Sequence, residues 1–201
     1  MPDDLMGTFT AFAGVRQLAS GRLIDVALAV KARAAEEGDP ILVFDDRSGA
    51  VIDLDLRGTE AEITARFAEL RNARDATSGA ESRADPDVAP RSRGRPKLGV
   101  IAREVTLLPR QWEWLASQPG GASQALRRLV DEARRADGGQ TRTKAAREAA
   151  YRFLSGLAGD LPGFEGVIRA LFAGDVEGFA DRMSAWPPDI RAHALKLAAL
   201  A

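Results

Sequence analysis

The stretch from Arg91 to Arg135, RSRGRPKLGVIAREVTLLPRQWEWLASQPGGASQALRRLVDEARR, carries the most specific pattern in the chain. It opens as a basic arm: up to Arg110 the charges are Arg91, Arg93, Arg95, Lys97, Arg103 and Arg110 against Glu104 alone. A short strand is predicted across Val100 to Leu107. Pro109 suits the first turn of a helix, where a missing N–H costs nothing. Trp112 and Leu115 are predicted to form that helix's buried face, with Trp114 beside them, and Pro119-Gly120-Gly121 ends it. Ser123 is predicted to cap a second helix by accepting one of its free amide hydrogens. Leu126, Leu129, Val130 and Ala133 then recur at helical spacing as an inner stripe.

Upstream, Thr8 to Ala13 (TFTAFA) reads as a strand, and Val15 to Leu18 as a candidate partner. Leu23, Val26, Ala27, Val30 and Ala34 fall at helical spacing within Arg22 to Glu37, and Gly38 with Pro40 stops that helix. Ile41 to Phe44 is a β-branched apolar run. Asp45 to Gly49 is a turn, and Ala50 to Leu56 alternates with Asp53 and Asp55 on a wet face, which makes a hairpin. Thr59 and Glu62 form a capping box for a helix carrying Ile63, Phe67 and Leu70. These elements predict a small α+β domain over residues 1–71, with a β-grasp-like arrangement as one option. From Asn72 to Pro90 one valine is the largest apolar residue, too little to offset the entropy of ordering. Residues 72–97 are therefore predicted to be a flexible, basic-ended linker.

Downstream of a strand-helix-helix element at 98–136, residues 141–201 are predicted to form a helical tail domain. Ala146, Ala150, Phe153, Leu154 and Leu157 mark its first helix, and a second follows Pro162. Asp175 caps a third with Val176, Phe179 and Met183 on its apolar face, and Asp189 caps the last. Phe153, Phe164, Phe172, Phe179 and Trp186 are the expected tail core.

The totals narrow the chemistry. With 201 residues, 45% hydrophobic and 28% charged, the chain is long enough for one or two domains. Its net charge is −1, so attraction to nucleic acid must be local. No cysteine is present, which excludes disulfides, thiolate catalysis and thiolate-bound zinc, and fits a reducing cytosol. One histidine, His193, makes a multi-histidine metal site impossible within the chain and reads as a packed or surface side chain. No secretory signal and no apolar run near the ~20 residues of a membrane span is visible, so a cytoplasmic location is expected. Asp45, Asp46, Asp53 and Asp55 could be a Mg²⁺ cluster or, alternatively, turn chemistry and the wet side of a strand.

The phrases VFDDRSGAVIDLDLRG, RGRPKLGVIAREVTLLPRQWEWLASQPGGASQALRRLVDEARR and FLSGLAGDLPGFEGVIRALFAGD with AWPPDIR resemble an uncharacterised bacterial family, domain of unknown function 2239 (DUF2239). That resemblance implies no activity. Within it, VTLLPRQWEWLASQPGGASQALRRLVDEA looks like the ribbon-helix-helix class, in which two chains pair one strand each in the DNA major groove. The resemblance implies a homodimer, a phosphate contact at the start of the second helix near Ser123, and Arg127 and Arg128 on its exposed side. Two strand registers remain open. One turns Arg103, Val105 and Leu107 to the groove; the other turns Ala102, Glu104 and Thr106. Arg93-Gly94-Arg95-Pro96 is identical to the core of an AT-hook, whose arginines lie along a narrow minor groove.

The resulting expectation is a non-enzymatic, homodimeric DNA-binding regulator without a cofactor, metal or membrane contact. Its DNA-binding residues are Arg91, Arg93, Gly94, Arg95, Lys97, Arg103, Thr106, Ser123, Arg127 and Arg128. The alternative is a protein-interaction or scaffolding module that uses the helical C-terminal half.

Overall fold

The computed structural model describes residues 7–34, 38–80 and 104–199, with the backbone alone at 71 and 73–80. Strands β1 (Phe9–Ala13) and β2 (Arg16–Gly21) form a hairpin over Gly14, whose φ is +55°. Strand β3 (Ile41–Asp45) pairs with the other side of β1, and β4 (Val51–Ile52) with β3. The sheet order is β2-β1-β3-β4 and every pairing is antiparallel, so the β-grasp option is not adopted. Phe9, Thr10, Ala11 and Phe12 are all buried, because both faces of this central strand are covered. That is why TFTAFA shows no clean polar alternation.

One face is covered by α1 (Leu23–Arg33), which packs on β1 and β2 and buries Leu23, Val26, Ala27 and Val30. The helix is shorter than predicted; residues 35–37 lie outside the described residues. Strand β4 is also shorter than the predicted run to Leu56. Beyond it the backbone carbonyls are taken by cations: Lys31 Nζ donates to Leu56 O at 2.9 Å, and Arg66 donates to Asp55 O at 2.6 Å and Arg57 O at 2.9 Å. A carbonyl satisfied by a side chain needs no ladder partner.

Helix α2 (Glu60–Ala80) starts at the predicted capping box. Thr59 N donates to Glu62 Oε2 at 2.7 Å, and Glu62 N donates to Thr59 Oγ1 at 3.3 Å. The helix continues to Ala80, into the stretch expected to be linker. Extension of a nucleated helix adds one hydrogen bond per residue fixed, and no proline intervenes before Pro86. The remainder of that predicted linker, from 81, lies outside the described residues.

Among the described residues, those within 7–68 and 139–199 group into one compact unit, and those within 69–138 group into a second. In the first unit, the tail helices are α5 (Gln140–Leu157), α6 (Phe164–Ala173), α7 (Val176–Arg182) and α8 (Pro188–Ala199). They share one core with the sheet. The Phe12, Phe44 and Phe153 rings meet at centroid distances of 6.1, 5.3 and 4.9 Å. Truncating such a buried ring costs about 3–5 kcal/mol. The two halves each show an apolar face in sequence, but nothing in either pattern names its cover.

Two details lock this docking. Gly49 (φ +67°) lies so close to α5 that a Cβ there would overlap the Ala149 carbonyl oxygen. Asp189, expected to cap α8, instead accepts from the Gln17 amide of edge strand β2 at 2.9 Å. Asp175 does cap α7 as predicted, accepting from Gly178 N at 2.9 Å. In the tail, Phe153, Phe179 and Trp186 are buried, but Phe172 and Val176 are exposed, contrary to expectation. Trp186 Nε1 donates to Pro162 O at 2.8 Å, so its buried N–H is satisfied.

Candidate functional site

The second unit contains α3 (Pro109–Ala116) and α4 (Gly121–Asp137). Pro109 occupies the first turn of α3 as predicted, and Gln111 Oε1 accepts from the Leu108 amide at 2.8 Å. The turn to α4 is made by Gly120 (φ +82°) and Gly121 (φ +73°). Helix α4 begins at Gly121, before Ser123, which lies exposed inside its first turn. Ser123 is therefore not the cap, and no side chain caps this end.

Leu115 and Ala125 are buried between the helices. Most of the predicted inner surface is not covered. Trp112 is 41% exposed, Trp114 48%, Leu129 38% and Val130 54%. Leu126 is half-buried and Ala133 exposed. The reason is arithmetic of size: helices of 8 and 17 residues shield one seam, and a stripe of this width needs another surface.

The described part of the predicted strand, residues 104–108, joins no sheet of this chain. Leu108 is extended (φ −67°, ψ 149°). Thr106, Arg127 and Arg128 are exposed. Arg128 Nη2 donates weakly to Gln118 Oε1 at 3.4 Å, and its Nε lies 3.9 Å from Glu132 Oε1. Arg135 Nε donates to Asp131 O at 3.0 Å, as a last-turn arginine does. Arg91, Arg93, Gly94, Arg95, Lys97 and Arg103 lie outside the described residues.

A second constellation, in the first unit, gathers Asp46 with partners that the sequence reading did not join to it. Asp46 is buried just past β3. Thr10 Oγ1 donates to its Oδ1 at 2.7 Å and Lys196 Nζ to its Oδ2 at 2.7 Å. Since the Thr10 proton is committed to Asp46, Ser20 Oγ donates to Thr10 Oγ1 across 3.0 Å. His193 Nε2 lies 3.5 Å from Asp46 Oδ1 and has no hydrogen-bond partner. Its ring packs on Phe12 and Phe153 at centroid distances of 5.5 and 4.6 Å. Burial pushes this imidazole down to about 4, with Lys196 acting in the same direction and the Asp46 carboxylate opposing. A neutral, sealed imidazole far below neutrality is poorly placed as a general base. The cluster ties β1, the hairpin turn and α8 together.

The four candidate aspartates do not converge. Asp45 accepts from Arg47 N at 2.9 Å and Ser48 Oγ at 2.8 Å within its own turn. Asp55 accepts from Arg57 Nε at 2.9 Å, and that hydrogen bond holds its carboxyl well below the usual range. Among the described residues, no group of three or more His, Asp or Glu side chains could hold a metal ion. Also among them, no helix is long and apolar enough to cross a membrane.

The model of DUF2239, described as an uncharacterized protein conserved in bacteria, matches residues 8–198. The chain belongs to this family. No curated protein and no solved structure matches it. The DUF2239 match spans the sheet, the helix pair and the tail, so the inserted second unit belongs with its host. Sequence reasoning found the helix pair through its stripe and named Asp46 only within the aspartate group, not with Thr10, His193 and Lys196. The signal in sequence was His193 and Lys196 one turn apart on α8, with nothing to name a partner 150 residues from Lys196.

Proposed function

We propose that this DUF2239 chain is a non-enzymatic, cytoplasmic DNA-binding regulator that acts as a homodimer through its second unit. The observation that carries the reading is the uncovered apolar face of α3 and α4, directly downstream of the basic arm at Arg91 to Lys97. A second copy laid on Trp112, Leu129 and Val130 would remove that face from water. The exposed Arg127 and Arg128 would remain on the outer side, with Thr106 and Arg103 on the strand segment before it. The arm, through Arg93, Gly94 and Arg95, supplies phosphate or minor-groove contacts.

Fluorescence anisotropy with a labelled duplex across a salt series tests this. Binding is expected to weaken linearly on a log–log plot. Arg93→Ala with Arg95→Ala is expected to lower the slope by about 2, one per lost phosphate contact. Absence of binding at low salt, or an unchanged slope, overturns the proposal. The same exposed face also favours a second reading, a protein-interaction module in which a different protein covers it. Partners retained in a pull-down after nuclease treatment, from a chain that sediments as a monomer, would favour that reading.

A further inference from the structure

We propose that the first unit carries a binding site for a small monocarboxylate with an apolar body, of the medium-chain fatty-acid type, in the cleft between α5, the α6–α7 turn and the end of α8. The cleft measures about 400 Å³, within the range of pockets that take small ligands. Its floor is made by Leu171 and Phe179, both buried, and its wall by Leu195 and Ala198. Val176 stands at its lip, 74% exposed, the most exposed large apolar side chain among the described residues. Sequence periodicity places Val176 on the buried face of α7. Its exposure here means that the apolar surface continues past the core into an open cleft.

The polar groups of the lining are few and lie on α5 and in the turn: Thr143, Arg147 and Asp175. One oxygen of Asp175 is taken, since Oδ1 caps α7 by accepting from Gly178 N. Arg147 is not neutralised. Its Nη1 reaches only the Phe172 carbonyl at 3.5 Å, and among the described residues it has no carboxylate within ion-pair distance. Half-buried Arg66 of the same unit does have one, lying 3.3 Å from Asp55. Gly174 makes the placement possible, because a Cβ at that position would fall 2.6 Å from Arg147 Nη2.

A half-buried guanidinium at the mouth of an apolar cleft selects for charge and for shape. A carboxylate can accept two of its N–H groups side by side, while an apolar chain fills the cleft behind it. A nucleotide would turn many polar groups toward the Leu171, Phe179 and Leu195 wall with nothing to satisfy them. The site is independent of any nucleic-acid role of the second unit.

Isothermal titration of the full chain with hexanoate, octanoate and decanoate, kept below micelle formation, tests the proposal. Each added methylene is expected to tighten binding about fourfold until the cleft is full. Decanoate is expected to bind at least about tenfold tighter than decanol. Arg147→Met, which keeps the apolar stem, should remove that difference and leave decanol unaffected. Ala198→Trp, which fills the cleft, should abolish both. Methyl chemical shifts guard against misfolded variants and against adhesion elsewhere: in the unmodified chain decanoate should move Val176, Leu171 and Leu195. No binding at millimolar decanoate, an unchanged affinity in Ala198→Trp, or shifts confined to Leu129 and Val130 would overturn it.

Discussion

Replacing His193 with glutamine should flatten the acid limb of the stability curve. The histidine side chain is 1% exposed, and its folded value is near 4 against an ordinary 6.5. The unfolded chain therefore binds a proton that the folded chain refuses. For a histidine depressed in this way, the stabilisation is complete above pH 6.5 and is lost as the pH falls toward 4. The two values enclose a ceiling of about 3 kcal/mol, of which about 2.5 kcal/mol is lost by pH 4.5. Three tryptophans are present, so a Trp112→Phe, Trp114→Phe background leaves Trp186 as the reporter of the sheet-and-tail unit. Urea unfolding followed by its fluorescence is compared at pH 7.5 and pH 4.5, with and without His193→Gln. The parent should lose about 2.5 kcal/mol more than the variant. Carboxylates held low, Asp55 by Arg57 and Glu62 by the Thr59 amide, lose their contributions at lower pH in both proteins and cancel in the difference. Equal losses in the two proteins would refute the assignment of the acid sensitivity to His193.

Four further outcomes follow. Gly49→Ala should destabilise the unit by at least about 1–3 kcal/mol from backbone strain alone, with more from overlap with Ala149, as a drop in urea midpoint. Thr59→Ala should cost about 1 kcal/mol at the start of α2, seen in the same measurement, and an unchanged midpoint would argue against the capping box. A protease site engineered into residues 81–103 should, once cut, leave two pieces that co-elute from a native sizing column and separate in urea. They share the Phe12, Phe44 and Phe153 core, and independent elution of the pieces would contradict it. The proposed pairing of two copies through α3 and α4 predicts a dimer by sedimentation that Leu129→Lys with Val130→Glu converts to a monomer, because charges then face that surface.

Local chemistry was legible in the sequence. The capping box at Thr59 and Glu62, the Asp175 cap, Pro109 in the first turn of α3, the α1 stripe and the hairpin at Asp45 to Gly49 each depend on residues within a few positions, so reading them requires no knowledge of the fold. Ser123 is the local exception: serine is a strong cap residue, but the two glycines before it take the left-handed conformation and the helix starts at Gly121.

What covers each apolar face was decided only in three dimensions. Periodicity states that a face is apolar, and any other apolar face satisfies it equally well. So the sequence determined the elements and the fold class, α+β, and placed the basic arm beside a helix pair. The tertiary structure decided that the first strands and the last helices close one core across the insertion, and that Asp46 reaches Lys196 beside His193. It also decided that the stripe on α4 remains uncovered within one chain. Those outcomes depend on pairings 100 or more residues apart, such as Arg152 with Ser48 and Gln17 with Asp189. Such pairings are chosen by shape and burial, which no stretch of sequence carries alone.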